Sequence, residues 1–102
     1  MKSEMFAEIM GAVAQVTELT PEQILSTTKT DDLVAARSLF VHYCAALGIP
    51  SVSIAAYLRR KKVNCVNRYL SSYGIFYKSS YYFREMDHKI RDMVHKSPAS
   101  VS

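Results

Sequence analysis

The side chains with the clearest chemical potential lie in one stretch of the chain, residues 52–73. Two short apolar patterns in this stretch are separated by a run of four cations: Arg59, Arg60, Lys61 and Lys62. Cationic side chains hold phosphate groups, Arg through paired hydrogen bonds and Lys as a point charge. A run of this kind is often only a solvated loop, but its position between two helices favours a surface that binds a polyanion.

The second apolar pattern has the spacing of a helix with one buried side. That side is formed by Val63, Val66, Leu70 and Tyr73. The opposite side then carries Asn64, Asn67, Arg68 and Ser71, with Cys65 at its margin. Asn and Arg are the side chains that read adenine and guanine edges in the major groove of DNA. The pattern therefore predicts a helix-turn-helix over about 52–73, with its second helix in that groove.

Patterns for catalysis or metal binding are weak. His42 and Cys44 lie two residues apart on a predicted helix, so they cannot face one ligand. His88 and His95 share a helix face but lack a third and a fourth ligand. Cys65 has no base at a fixed spacing, and the sequence contains no glycine-rich phosphate loop. We therefore expect neither enzyme activity nor a bound metal, cofactor or nucleotide.

Charge is distributed unevenly along the 102 residues, which suffice for one domain. Residues 1–32 contain two cations and six acids, whereas residues 33–102 contain eleven cations and three acids. This asymmetry predicts a polyanionic partner on one side, and the acidic N-terminal helix is a possible surface for a protein partner. No apolar run is long enough to span a membrane. Two isolated cysteines and an acidic N-terminus predict the cytoplasm.

Helical periodicity predicts the elements that position this stretch. Capping residues predict where two of them begin: Thr20 with Gln23 as a capping box, and Thr30 or Asp31 as the next cap. Helices are expected over about 3–17, 21–25, 32–47, 52–58, 63–73 and from Ser79 or Ser80 to about 96. Gly48 and Gly74 are expected to end two of them, with an apolar connector after Gly74. In the central helix, Arg37 and Ser38 mark the face expected to stay open. The fold class predicted is all-α, a compact bundle of five to six helices in one domain (1–96) with a disordered tail (97–102).

The order of these parts, across roughly residues 13–73, resembles the C-terminal DNA-binding domain of DnaA, the bacterial chromosomal replication initiator. The resemblance implies a Trp-repressor-like fold and a role in replication initiation or transcription regulation. It places a minor-groove contact on Lys29 and a DNA contact on Arg37. The family's signature D-H-T-T-V at the start of the recognition helix falls on 62–66, where only Val66 is retained. Val63 would then suit a thymine methyl group, and Asn64 either an adenine edge or the helix cap.

Sequence-specific binding of double-stranded DNA is therefore the leading prediction. The expected contacts are Lys29, Arg37, Arg59, Arg60, Lys61, Lys62, Val63, Asn64, Cys65, Asn67 and Arg68. The alternative is an all-helical protein-interaction module that binds an acidic partner through the same face. A salt-sensitive affinity for DNA would separate the two.

Overall fold

The computed structural model describes residues 2–60 and 63–95. These residues form six helices: α1 (Lys2–Thr17), α2 (Pro21–Leu25), α3 (Asp31–Ala46), α4 (Ser51–Tyr57), α5 (Asn64–Ser79) and α6 (Tyr81–His95). The described part of the chain contains no strand, which confirms the all-α fold class with five to six helices. The tail predicted to be disordered, 97–102, lies outside the described residues.

Hydroxyl side chains cap the N-termini of three helices at the predicted positions. Thr20 and Gln23 form a reciprocal capping box at the start of α2, with N···O distances of 2.9 and 3.1 Å. Thr30 caps α3 and Ser80 caps α6, each accepting a hydrogen bond from the backbone N–H three residues further on. At the other end of α3, Gly48 has a φ of +82°, the left-handed conformation that glycine adopts without steric cost.

The centre of the fold is α3, which packs against α1, α2, α4 and α5. Its fully buried apolar side chains are Ala36, Leu39, Phe40, Val41 and Cys44. Leu58 and Val66 are also completely buried, as expected if the α4–α5 pair packs on this helix. Burial raises the pKa of Cys44 to about 12, so this thiol stays protonated at neutral pH.

The prediction that α5 stops at Gly74 is wrong, because the helix continues to Ser79. Glycine inside a helix costs about 1 kcal/mol relative to alanine. The extra turn gains packing in return, because the Phe76 ring stacks on Phe83 of α6 at a centroid distance of 5.2 Å. Residues 75–77, expected as a connector, are therefore the last part of a longer helix. Among the residues that the structure describes, no helix combines the length and apolar character needed to cross a bilayer.

Candidate nucleic-acid interface

One face of α5 is packed in the core and the other is open to solvent. Val66 is fully buried, and Leu70 and Tyr73 pack against the same core. The opposite face exposes Asn64, Asn67, Arg68 and Ser71, which together we call the α5 ridge. The predicted division between a buried stripe and a polar row is thus confirmed. Spacing of three and four residues places these side chains in one line along the helix.

The turn after α4 holds a cation in an unusual backbone conformation. Arg59 is exposed and has a φ of +60°, in the left-handed region. The N–H groups of Arg59 and Arg60 donate to the carbonyl oxygens of Ala56 and Ala55 at 3.0 and 2.9 Å. This is a Schellman ending, in which glycine is the usual residue at the position of Arg59. A side chain there costs about 1 kcal/mol, so the fold alone does not favour arginine at this position.

Replacing Arg59 by glycine is therefore expected to raise the free energy of unfolding by about 0.5–1 kcal/mol, measured by urea denaturation. Glu18 ends α1 in the same way, with a φ of +60° and a hydrogen bond of 3.2 Å from the Leu19 N–H to the Ala14 carbonyl oxygen. Glu18→Gly is the matched control, and it should give a similar gain in stability. A loss of stability in Arg59→Gly alone would show that the Arg59 side chain contributes to the fold.

The second cation of the turn makes structural hydrogen bonds. The Arg60 guanidinium is half-buried and donates to the carbonyl oxygen of Leu58 at 3.2 Å and to that of Ser26 at 3.0 Å. These hydrogen bonds use guanidinium N–H groups that were predicted to bind phosphate. They also join the α4–α5 turn to the loop between α2 and α3, which carries the exposed Lys29. The hydrogen bond between Arg60 and Ser26 thus holds the two segments that carry Lys29 and Arg59 next to each other, and the sequence alone does not reveal this contact.

The expectation that Arg37 contacts DNA is wrong, because its side chain is completely buried. Its Nε donates to the Ile24 carbonyl oxygen and its Nη2 to the Ser26 carbonyl oxygen, both at 2.7 Å. These oxygens lie at the C-terminal end of α2, where helix carbonyls lack intrahelical partners. The guanidinium therefore caps α2 from within the core. Ser38, also expected on an open face, is buried and donates to the Val34 carbonyl oxygen at 2.8 Å.

The start of α5 differs from the prediction in its capping. Val63 is the N-cap and makes no side-chain cap hydrogen bond, while Asn64 is the first helical residue. The alternative that Asn64 caps the helix is therefore wrong, and its amide is exposed. Val63 and Cys65 are half-buried, so they offer less surface to a partner than Asn64 does. Lys61 and Lys62 lie outside the described residues.

A buried polar cluster connects α5 to its neighbours, and sequence reasoning missed it. Asp87 is only 1% exposed and accepts hydrogen bonds from the hydroxyl groups of Tyr43 at 2.6 Å and Tyr73 at 2.8 Å. Arg91 forms an ion pair with its second carboxylate oxygen at 3.2 Å. The available signal was the position of Asp87 between Phe83 and Ile90 on the apolar stripe of α6. The cluster joins α3, α5 and α6 and so sets the direction of the α5 ridge.

Burial and hydrogen bonding shift the pKa values of the side chains around the Asp87 carboxylate. Desolvation and the hydrogen bonds to Asp87 raise the pKa values of Tyr43 and Tyr73 well above the ordinary value of tyrosine. The His42 ring stacks on Tyr73 at a centroid distance of 3.7 Å, and desolvation lowers its pKa. These groups are therefore neutral near pH 7 and act as packing and hydrogen-bonding elements. In the described residues, no three His, Cys, Asp or Glu side chains are grouped so that they could hold a metal ion.

Comparison of the chain with protein-family models, with curated proteins and with solved structures finds no match. The resemblance to the initiator's DNA-binding domain stays a prediction based on the order of helices and loops across residues 13–73. Any functional conclusion depends on the geometry and charge of the α5 ridge and of the turn that precedes it.

Proposed function

We propose that this protein binds double-stranded DNA in a sequence-specific manner, with α4 and α5 acting as a helix-turn-helix. The observation that carries the proposal is that the α5 ridge is exposed along its length, while the opposite face of the same helix packs against the core through the buried Val66 and the half-buried Leu70 and Tyr73. A helix held in this way presents a rigid row of amide and guanidinium groups, which suits the major groove. The proposed setting is the cytoplasm, in replication initiation or transcription regulation.

Phosphate contacts would come from the ends of the elements around the ridge. Arg59 and Lys29 are exposed cations on the two segments joined by Arg60. The N-cap residue of α5, Val63, makes no side-chain cap hydrogen bond, and a helix start of this kind attracts a phosphate. Lys61 and Lys62 follow Arg59 and Arg60 directly in the sequence and add positive charge there. These contacts would set affinity and register without reading sequence.

Base contacts would come from Asn64, Asn67 and Arg68 on the ridge itself. Asparagine forms two hydrogen bonds to adenine and arginine two to guanine, each pair discriminating by about 1–3 kcal/mol. The exposed asparagines are what favours DNA over an acidic protein, because a purely electrostatic partner requires cations and gains little from amides. The protein-interaction alternative therefore predicts that substitutions of asparagine have no effect on binding.

The experiment that tests the proposal is a fluorescence anisotropy titration of a labelled duplex across a series of salt concentrations. If about four phosphates are neutralised, the logarithm of affinity should fall with the logarithm of salt at a slope of about −3.5. Arg68→Gln should weaken binding by about tenfold, because it removes a groove contact. The control Lys89→Gln removes the same charge from an exposed position on α6 and should weaken binding much less.

Two outcomes would contradict the proposal. A slope near zero would mean that no phosphates are contacted. Equal losses in Arg68→Gln and Lys89→Gln would mean that the duplex responds to total charge and that the ridge is not a specific surface.

A further inference from the structure

A second surface lies away from the ridge, between the C-terminal end of α1, the start of α3 and the α5–α6 corner. It is a cleft of about 330 Å³. Its apolar lining is formed by Leu19, Ala35, Phe76, Phe83 and Met86, and the highly exposed Tyr82 stands at its edge. A cavity of about 150 Å³ accommodates a benzene ring, so this cleft has room for one or two large apolar side chains.

The rim of the cleft is acidic. Glu18, Asp31 and Asp32 line it, and all three are exposed. None of them forms an ion pair with another described residue. The apolar lining and the negative rim therefore occur together, in a protein whose net charge is +4. The surface is complementary to a ligand that is apolar at its centre and positive at its edges.

We propose that this cleft binds a short cationic amphipathic segment of a partner protein. One or two large apolar side chains of the segment would enter the cleft, and its Arg or Lys side chains would pair with the three carboxylates. The exposed ring of Tyr82 would offer its face to one of those cations. Binding through an apolar helix face flanked by charges is a common mode of peptide recognition.

This surface is separate from the proposed DNA contact in both charge and position. Its carboxylates would repel the phosphate backbone, which excludes nucleic acid as the occupant. Phe76 lies five residues after Ser71, the last residue of the ridge, and twelve after Asn64, which places the cleft about 8 Å along α5 from the near end of the ridge and about 18 Å from its start. A partner could therefore occupy the cleft while the ridge stays free. The proposal does not depend on DNA binding.

The test uses a fluorescein-labelled helical peptide of twelve residues with leucines along one face and flanking arginines. Its anisotropy is measured against the full chain without DNA. A second peptide has serine in place of each leucine, and a third has glutamate in place of each arginine. We expect saturable binding of the first peptide and an affinity at least tenfold weaker for each of the other two.

Variants of the chain locate the site. A triple variant that neutralises the rim should weaken binding of the leucine–arginine peptide at least tenfold; its substitutions are Glu18→Gln, Asp31→Asn and Asp32→Asn. Asp32→Asn alone should weaken binding by about three- to fivefold. The matched control is Glu22→Gln, since Glu22 is an exposed acid in the first turn of α2, as Asp32 is in α3, but lies outside the cleft. Ala35→Phe should block the cleft without changing charge, with circular dichroism confirming that the variant is folded.

The proposal is overturned if the serine peptide binds as well as the leucine peptide, because charge alone would then explain the affinity. It is also overturned if Glu22→Gln weakens binding as much as Asp32→Asn does. A third outcome would also overturn the proposal: the parent chain self-associates and binds no peptide, and the triple variant no longer self-associates. The occupant of the cleft would then be a second copy of this chain.

Discussion

Replacing Arg37 by alanine is expected to lower the free energy of unfolding by about 4 kcal/mol. The change leaves a cavity in a fully buried position and removes the donors of two 2.7 Å hydrogen bonds. The Ile24 carbonyl oxygen would then be buried without its Arg37 donor, and the Ser26 carbonyl oxygen would keep only its hydrogen bond from Arg60. Thermal unfolding should show a midpoint more than about 15 °C lower.

Two further variants separate this structural role from a DNA contact. Arg37→Lys keeps the charge, but one ammonium group does not reproduce the planar fork that reaches both oxygens, so a loss of about 2–3 kcal/mol is expected. Arg37→Met keeps most of the volume and should be less damaging than alanine. If Arg37→Ala retained the parent's unfolding midpoint and lost only DNA affinity, the side chain would have to point outward, contrary to the structure.

Replacing Asp87 by alanine is expected to cost about 3 kcal/mol. The carboxylate is buried and accepts from two tyrosine hydroxyls. Without it, the buried Tyr43 hydroxyl would keep only the longer contact to the Asp87 backbone oxygen, at 3.0 Å. Arg91 would lose its ion pair, which contributes little because its side chain is 45% exposed. Urea denaturation followed by circular dichroism measures the loss.

A double-mutant cycle tests whether the hydroxyl and the carboxylate act together. Tyr43→Phe removes one hydroxyl donor to Asp87 and retains the ring, so the double variant should be more stable than the sum of the single losses predicts. We expect a coupling energy of about 1–2 kcal/mol. Strict additivity would mean that the 2.6 Å contact between these groups contributes nothing to stability.

Local signals explain how much of the fold was predictable. The Thr20–Gln23 capping box, the Thr30 cap and Gly48 each involve residues within one helical turn, and each forms as expected. The α5 ridge was predictable for the same reason. Once Val66 and its helical neighbours are assigned to the core, the residues between them must face outward.

The failures concern interactions between distant parts of the chain. Arg37 reads as a surface cation because nothing in its own helix shows that the end of α2 needs donors from it, thirteen residues away in sequence. The role of Asp87 was not predicted, because its partner Tyr43 is 44 residues away in sequence. Gly74 reads as a stop because the packing of Phe76 on Phe83 outweighs the local preference of glycine.

In the candidate site, too, the local features were predictable and the contacts between distant segments were not. Exposure of Asn64, Asn67 and Arg68 follows from periodicity and is observed. The left-handed conformation of Arg59 and the capture of Arg60 by the Ser26 carbonyl oxygen depend on the turn geometry and on a separate loop. Helical periodicity predicts neither the backbone conformation of Arg59 nor the hydrogen bond of Arg60.

Selection of bound sequences from a pool of random duplexes tests the central claim most directly, because it reports binding and specificity together. The parent chain should enrich one short motif. The Asn64→Ala, Asn67→Ala double variant should still bind DNA with a similar salt dependence, but should lose preference at one or two positions of that motif. A pool unchanged by the parent chain, or the same motif selected by the double variant, would contradict the assignment of the α5 ridge as a DNA-reading surface.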